Sequence, residues 1–246
     1  MLSYNMIIWK KVNSKYKFKK KIAFNSNKWV SIINKRLNNN FKNLNSKNYL
    51  NQFLASSPLP LVIINENKKK INIADFGSGS QELFFHLSQM KLSKKVSIDS
   101  TEVEYLVNIF KKKKFISKNI FIKFNEEFNF KKKYDYIHIS DSLQYILDWK
   151  NFLKKINLSN AKFIIFNSLN SGNIKTYVTK QKFYNSEIPN IFFSSSQIIA
   201  LMKNYDLIYK SYFLSKINNK FGELPQPNFN EKDRIKYPKT FIFKKK

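Results

Sequence analysis

The sequence predicts an α/β fold in which a seven-stranded, mainly parallel sheet is flanked by helices and preceded by a helical N-terminal extension. Three observations predict it. From Lys70 onward, short apolar runs rich in Ile, Val, Phe and Tyr alternate with longer segments that carry an apolar stripe, the pattern of repeated βαβ units. Near the start of this region, Ile73-Ala74-Asp75-Phe76-Gly77-Ser78-Gly79-Ser80 reads as a buried strand entering a glycine turn and then a helix. The chain closes on two strand-like runs, 206–214 and 239–243, separated by a proline-containing loop over 222–238.

Residues 1–67 form the extension and 68–246 the main domain. The extension is irregular, with Lys-rich and Asn-rich stretches at 17–21 and 38–40, and short helices suit it best. Trp29, Val30, Ile32, Ile33 and Leu37 recur at helical spacing, which predicts an amphipathic helix acting as a lid or a prop. Ser57-Pro58-Leu59-Pro60 interrupts any helix, because proline lacks a donor and restricts the residue before it. Beyond the boundary, strands are expected at 71–76, 95–99, 119–124, 134–140 and 161–167. Helices are expected at 81–92, 101–113, 143–156 and 194–204.

Composition narrows the function. The absence of cysteine excludes disulfides, thiolate nucleophiles and Cys-based zinc sites, and two histidines speak against an imidazole-rich metal centre. No stretch approaches the roughly 20 apolar residues a membrane helix needs. The short Met6-Ile7-Ile8-Trp9 patch does not resemble a signal peptide, so a soluble, cytoplasmic protein is expected. The formal charge of +29 would suit a polyanion. Yet the basic residues are almost all Lys, with Arg36 and Arg234 the two arginines, amid abundant Asn, Ile, Phe and Tyr. All of these have A/T-rich codons, and arginine, the preferred fork for phosphates and bases, is scarce. Composition therefore argues against nucleic acid as the partner.

Gly77 and Gly79 are two of only four glycines in the chain, placed where a strand's carboxyl end meets a helix and where open α/β sheets bind ligands. Asp99, some two dozen residues later at the expected end of its strand, suits a carboxylate that accepts ribose hydroxyls; the alternative is a cap on the helix near Thr101. A dinucleotide fingerprint would place a third glycine where this chain has Glu82, whose charge would repel a pyrophosphate. S-adenosylmethionine has no phosphate and carries a sulfonium and an ammonium, which Asp75 would favour. The loop points to methyl transfer, and the fold class becomes the Rossmann-like class I methyltransferase type.

The third signal is the run from Tyr134 to Tyr145. In this fold the end of the fourth strand lies beside the methyl donor, so Ser140 and Ser142 are candidates to line the cofactor, and Gln144 and Tyr145 the acceptor. Asp141 is the candidate proton acceptor, with capping of a Leu143 helix as the alternative. His138 within its strand and His86 on an apolar helix read as packed side chains rather than catalytic ones.

These stretches, with Tyr177-Val178-Thr179-Lys180-Gln181 and Ile188-Pro189-Asn190-Ile191-Phe192, resemble a family of methyltransferases found beside bacterial surface-polysaccharide genes. Phe24-Asn25-Ser26-Asn27-Lys28-Trp29 and Pro58-Leu59-Pro60-Leu61 are similar to that family's leading segment. Two departures stand out. The family's Asp-Phe-Gly-Gly turn is here Asp75-Phe76-Gly77-Ser78, and its Asp-Arg pair after the fifth strand is Asn167-Ser168. The resemblance implies O-methylation of a sugar or other small acceptor, with the insertion from Gly172 to Phe193 on the acceptor side and Gln181 and Tyr184 as its polar contacts. The alternatives are an RNA methyltransferase and a non-catalytic binding module of the same fold.

Overall fold

The structure, a computed structural model, describes residues 7–13, 15–18, 24, 26–44, 57–90, 92–183, 186–213, 215–217 and 220–246. Its main sheet is built from β2 (Lys70–Phe76), β3 (Lys95–Thr101), β4 (Ile120–Asn125), β5 (Tyr136–Ser140), β6 (Phe163–Leu169), β10 (Tyr205–Tyr212) and β13 (Lys239–Lys245), in the order β10-β13-β6-β5-β2-β3-β4. Strands β2, β3, β4 and β5 pair in parallel, whereas β10 and β13 pair antiparallel. The predicted seven-stranded sheet and its closing hairpin are both present.

One compact unit comprises Phe24–Ser140 and Ser159–Ile165. Helix α1 (Asn27–Lys42) starts at Ser26, whose hydroxyl accepts the Trp29 N–H at 3.3 Å, and it buries Trp29, Val30, Ile33 and Leu37 as the spacing predicts. Helix α2 (Leu59–Ile64) follows Pro58, with Pro60 in its first turn where a missing N–H costs nothing. The Lys94 ammonium binds the Ile63 and Ile64 carbonyls at 2.8 and 2.6 Å, satisfying that helix's carboxyl end. Helices α3 (Glu82–Gln89) and α4 (Glu104–Lys111) follow β2 and β3. Phe84 and Phe85 of α3 join an aromatic cluster in which Phe41 meets Phe85 edge-on at 4.8 Å and Phe84 meets Phe115 at 5.1 Å.

The other unit comprises Met1–Ala23, Asp141–Leu158 and Phe166–Lys246. It holds α5 (Trp149–Asn157), α6 (Ser195–Leu201) and a second sheet, in the order β1-β8-β9-β7, made from β1 (Trp9–Lys11), β7 (Ser171–Gly172), β8 (Tyr177–Phe183) and β9 (Ser186–Ser194). A small hairpin of β11 (Ser215–Ile217) and β12 (Lys220–Gly222) precedes the closing loop. Trp9, Phe192, Leu224, Phe229 and Ile235 form the second sheet's own core, with Trp9 edge-on to Phe192 at 5.5 Å.

Three expectations are corrected. The N-terminal segment is not wholly helical, because Trp9–Lys11 pairs with Thr179–Gln181 as a strand. The helix expected at 143–156 is broken into a single 3-10 turn, Leu143–Tyr145, and α5, with Ile146 extended between them. The helix expected to begin at Thr101 begins at Glu104, because Ser100 and Thr101 remain in β3 opposite Asp75 and Phe76.

Candidate active site

The β2–α3 turn is defined by three left-handed residues: Gly77 (φ 69°), Gly79 (φ 54°) and Gln81 (φ 61°). Glycine adopts this conformation without strain, but for glutamine it costs about 1 kcal/mol. Hydrogen bonds offset that cost. Gln81 Nε2 donates to Ser78 Oγ at 2.8 Å, and its backbone N–H donates to the Ser78 carbonyl at 2.9 Å. Ser78 Oγ lies 2.6 Å from Ser100 Oγ, the Gly77 N–H donates to the Thr101 carbonyl at 2.9 Å, and Asn40 Nδ2 reaches the Ser80 carbonyl at 3.1 Å. The turn is thereby fastened to β3 on one side and to α1 on the other. A Cβ added at Gly79 would meet nothing within 4 Å, so open space lies over the backbone there.

Two carboxylates behave differently around this turn. Asp99 lies two residues inside β3, where it is buried and accepts from Lys132 Nζ at 2.8 Å and Tyr134 OH at 3.0 Å. Burial and this bond to Asp99 push the Tyr134 hydroxyl well above its ordinary range. Glu102 is the first residue beyond β3, and its carboxylate accepts the Gly79 N–H at 2.7 Å and the Val103 N–H at 3.1 Å. Burial raises it to about 7 against the pull of those two N–H groups. The acid that adjoins the glycine turn is therefore Glu102, which the sequence reading passed over. Its signal was available: the Leu106, Val107 and Phe110 stripe fixes the helix start, and Glu102 is the acid just before it.

Asp75 is buried at the end of β2, beside its register partner His138 on β5. His138 Nδ1 lies 2.8 Å from Asp75 Oδ1 and Nε2 lies 3.2 Å from Ser57 Oγ, so this histidine is not merely packed. Glu82 opens α3 and accepts from Ser80 Oγ at 3.2 Å, which keeps negative charge where a dinucleotide's phosphates would sit. Ser140 ends β5.

In the other unit, Asp141 has φ 48° and donates its N–H to the Asn167 carbonyl at 3.0 Å, while Gln144 Nε2 donates to its carboxylate. Asp141 therefore does not cap an α-helix at Leu143. Ser142 precedes the 3-10 turn that contains Gln144 and Tyr145, with Gln144 buried. Ser168, in the position of the family's Asp-Arg pair, is also left-handed at φ 53°, and Asn167 accepts from Thr240 Oγ1 at 2.7 Å. Gln181 Oε1 accepts from Asn190 Nδ2 at 2.8 Å, and Asn190 Oδ1 accepts from Asn170 Nδ2 at 3.1 Å. Tyr184 lies outside the described residues.

Within the first unit, the structure thus brings Asp75, Gly77 and Gly79 together with Glu102, and turns Asp99 toward Lys132 and Tyr134. Among the described residues, no group of three or more His, Cys, Asp or Glu side chains could hold a metal ion, and no helix is long and apolar enough to cross a membrane.

Neither a protein-family model nor a curated protein sequence matches the chain. Solved structures do. The chain is similar to 1,6-didemethyltoxoflavin-N1-methyltransferase from Burkholderia thailandensis, at 9% identity over 96% of this chain and 94% of that one, with a TM-score of 0.53. It is also similar to an S-adenosylmethionine-dependent methyltransferase from Clostridium acetobutylicum, at 14% identity over 80% and 91% of the two chains, with a TM-score of 0.46. The first likeness, with the strand order and the antiparallel closing hairpin, identifies the fold as that of the Rossmann-like class I methyltransferases.

Proposed function

We propose that the chain is an S-adenosylmethionine-dependent methyltransferase that O-methylates a sugar, or another small acceptor, during cell-surface polysaccharide synthesis in the cytoplasm. The observation that carries the cofactor reading is the left-handed turn at Gly77, Gly79 and Gln81, open above Gly79 and bordered by the Glu102 carboxylate. An open backbone surface beside buried carboxylates fits a cationic, phosphate-free nucleoside, and Glu82 disfavours a pyrophosphate.

When bound, the cofactor supplies a methyl group on a sulfonium, the electrophile for in-line attack by an acceptor oxygen. Gly77 and Gly79 allow close approach to the turn. Asp75 offers a carboxylate to the ammonium of the methionine portion, and Glu102, when ionised, accepts the ribose hydroxyls. Asp99 supports β3 through Lys132 and Tyr134, so the ribose role first expected of it passes to Glu102. Ser140 and Ser142 line the cofactor.

Asp141, held by Gln144, takes the acceptor's proton, and Gln144, Tyr145, Gln181 and Tyr184 contact the acceptor. Residues 1–67 act as a prop for the 68–246 methyltransferase domain, a role supported by the bond from Asn40 to the carbonyl of Ser80 in the turn. The sugar acceptor itself is supported by the sequence resemblance in the 177–192 segment.

Release of S-adenosylhomocysteine from S-adenosylmethionine, measured with nucleotide sugars, oligosaccharides and RNA as acceptors, tests this reading. Turnover on a sugar is expected. Turnover on RNA with salt-sensitive binding would replace the sugar by a polyanion. Cofactor binding without turnover on any acceptor would leave a binding module.

A further inference from the structure

We infer that His138 is a positioning residue that fixes the Asp75 carboxylate for its ligand and fastens the segment beginning at Ser57 to that same carboxylate. The inference rests on the cofactor reading of Asp75. Ser57, His138 and Asp75 are all buried, at 7%, 5% and 3% exposure, and they form one chain of hydrogen bonds.

The chain has a single direction. An ionised Asp75 can only accept, so the proton lies on His138 Nδ1. On a neutral imidazole Nε2 then accepts, and the Ser57 hydroxyl donates to it. The same hydroxyl oxygen accepts the Leu59 N–H at 3.3 Å, so each member of the chain has one role. These residue types also make hydrolytic triads, but here the serine is buried and its oxygen is occupied by a backbone N–H, so the chain ends on structure and not on a substrate.

Position explains why the residue matters. His138 is flanked in β5 by buried Ile137 and Ile139, where an apolar side chain would be the ordinary filler. A buried imidazole is tolerated there because both nitrogens are used. Among the described residues, Asp75 Oδ1 is the oxygen taken by His138, which leaves Oδ2 for a ligand. Without the Nδ1 bond the carboxylate would lose its fixed rotamer and the desolvated charge its partner. Ligands that need Asp75 would then bind less well, and ligands that do not would be unaffected.

The test compares S-adenosylhomocysteine, which carries the ammonium, with 5′-methylthioadenosine, which lacks the amino-acid portion. In His138→Phe, affinity for S-adenosylhomocysteine is expected to fall about ten-fold or more while 5′-methylthioadenosine changes less than about two-fold, the scale of one charge-assisted hydrogen bond. His138→Asn, whose amide can donate from the place of Nδ1, should restore the selectivity. Equal weakening of both ligands, or of neither, overturns the inference. Failure of the unaltered protein to bind either ligand overturns the cofactor reading instead. Should His138→Phe not fold, the imidazole 15N spectrum of the unaltered protein decides: a proton on Nδ1 of His138 is expected, and the Nε2–H tautomer would overturn the proposal.

Discussion

Two glutamates in the same unit are held in opposite ways at the two edges of the sheet. Glu66, before β2, accepts from Lys162 Nζ at 2.7 Å and Tyr136 OH at 2.8 Å, and chiefly the lysine holds its carboxyl down at about 2. Glu102, after β3, has two backbone N–H donors but no cationic partner among its hydrogen bonds, and burial raises it to about 7. At the amino edge, Lys68 pairs with Asp135 and Lys162 with Glu66, so these carboxylates are neutralised in place, while Lys94 closes α2 through its carbonyls. At the carboxyl edge, the structure keeps a poorly solvated acid beside an open turn. That arrangement costs stability in the free protein, and under the proposed function the cost is recovered when ribose hydroxyls donate to the carboxylate.

Breaking the two carboxylates should therefore give opposite results. Glu102→Gln is expected to weaken S-adenosylhomocysteine binding by about 100-fold, the loss of charge-assisted hydrogen bonds to ribose, with thermal stability at pH 8 unchanged or raised. Glu66→Gln should leave that affinity unchanged and lower stability by about 1–2 kcal/mol in denaturant titrations. Next in size is a pH effect. Ionisation of Glu102 favours hydroxyl donors, so affinity should rise about ten-fold between pH 6 and 8, and Glu102→Gln should abolish the rise.

Gly79→Ala sharpens the contrast. Its φ of 54° makes any side chain strained, at about 1 kcal/mol, while the new methyl projects into open space without a clash. The protein should fold and bind S-adenosylhomocysteine several-fold less tightly, as calorimetry would show. The smallest expected effect is on stability against pH. Folded Glu66 holds its proton less tightly than the ordinary value of 4.5, so its contribution is present above that pH and fades toward about 2. Glu102 has the reverse sign. Its folded carboxyl holds a proton more tightly, so its contribution is full below 4.5 and is lost as pH rises through about 7. Unfolding curves of the two glutamine variants across pH 3 to 8 should each lose one of these slopes.

The glycine turn was legible because its signals are local: a buried strand, two of the chain's few glycines, and a helix pattern directly after. The sheet was legible for the same reason, since the buried Ile71, Ile73 and Ala74 of β2 and the apolar run Ile164–Phe166 of β6 suit a strand in a covered sheet. What escaped depends on contacts distant in sequence. Asp99 looked like the end of β3 because Ser100 and Thr101 are polar, yet both are buried and remain in the strand, which leaves Glu102 as the acid that adjoins the glycine turn. The link from Ser57 through His138 to Asp75 joins residues 63 and 81 positions apart, and no periodicity announces it. A three-residue strand such as Trp9–Lys11 is likewise defined only by its partner, β8. The helix expected at 143–156 failed on geometry: left-handed Asp141 and extended Ile146 leave room for one tight turn before α5.

The most direct test of the central claim is calorimetric titration of the full chain with S-adenosylhomocysteine at pH 8, beside NAD and the Glu102→Gln variant. Micromolar binding that weakens about 100-fold in the variant, with no response to NAD, is the predicted result. No binding of S-adenosylhomocysteine at millimolar concentration would contradict the claim that this turn is a methyl-donor site.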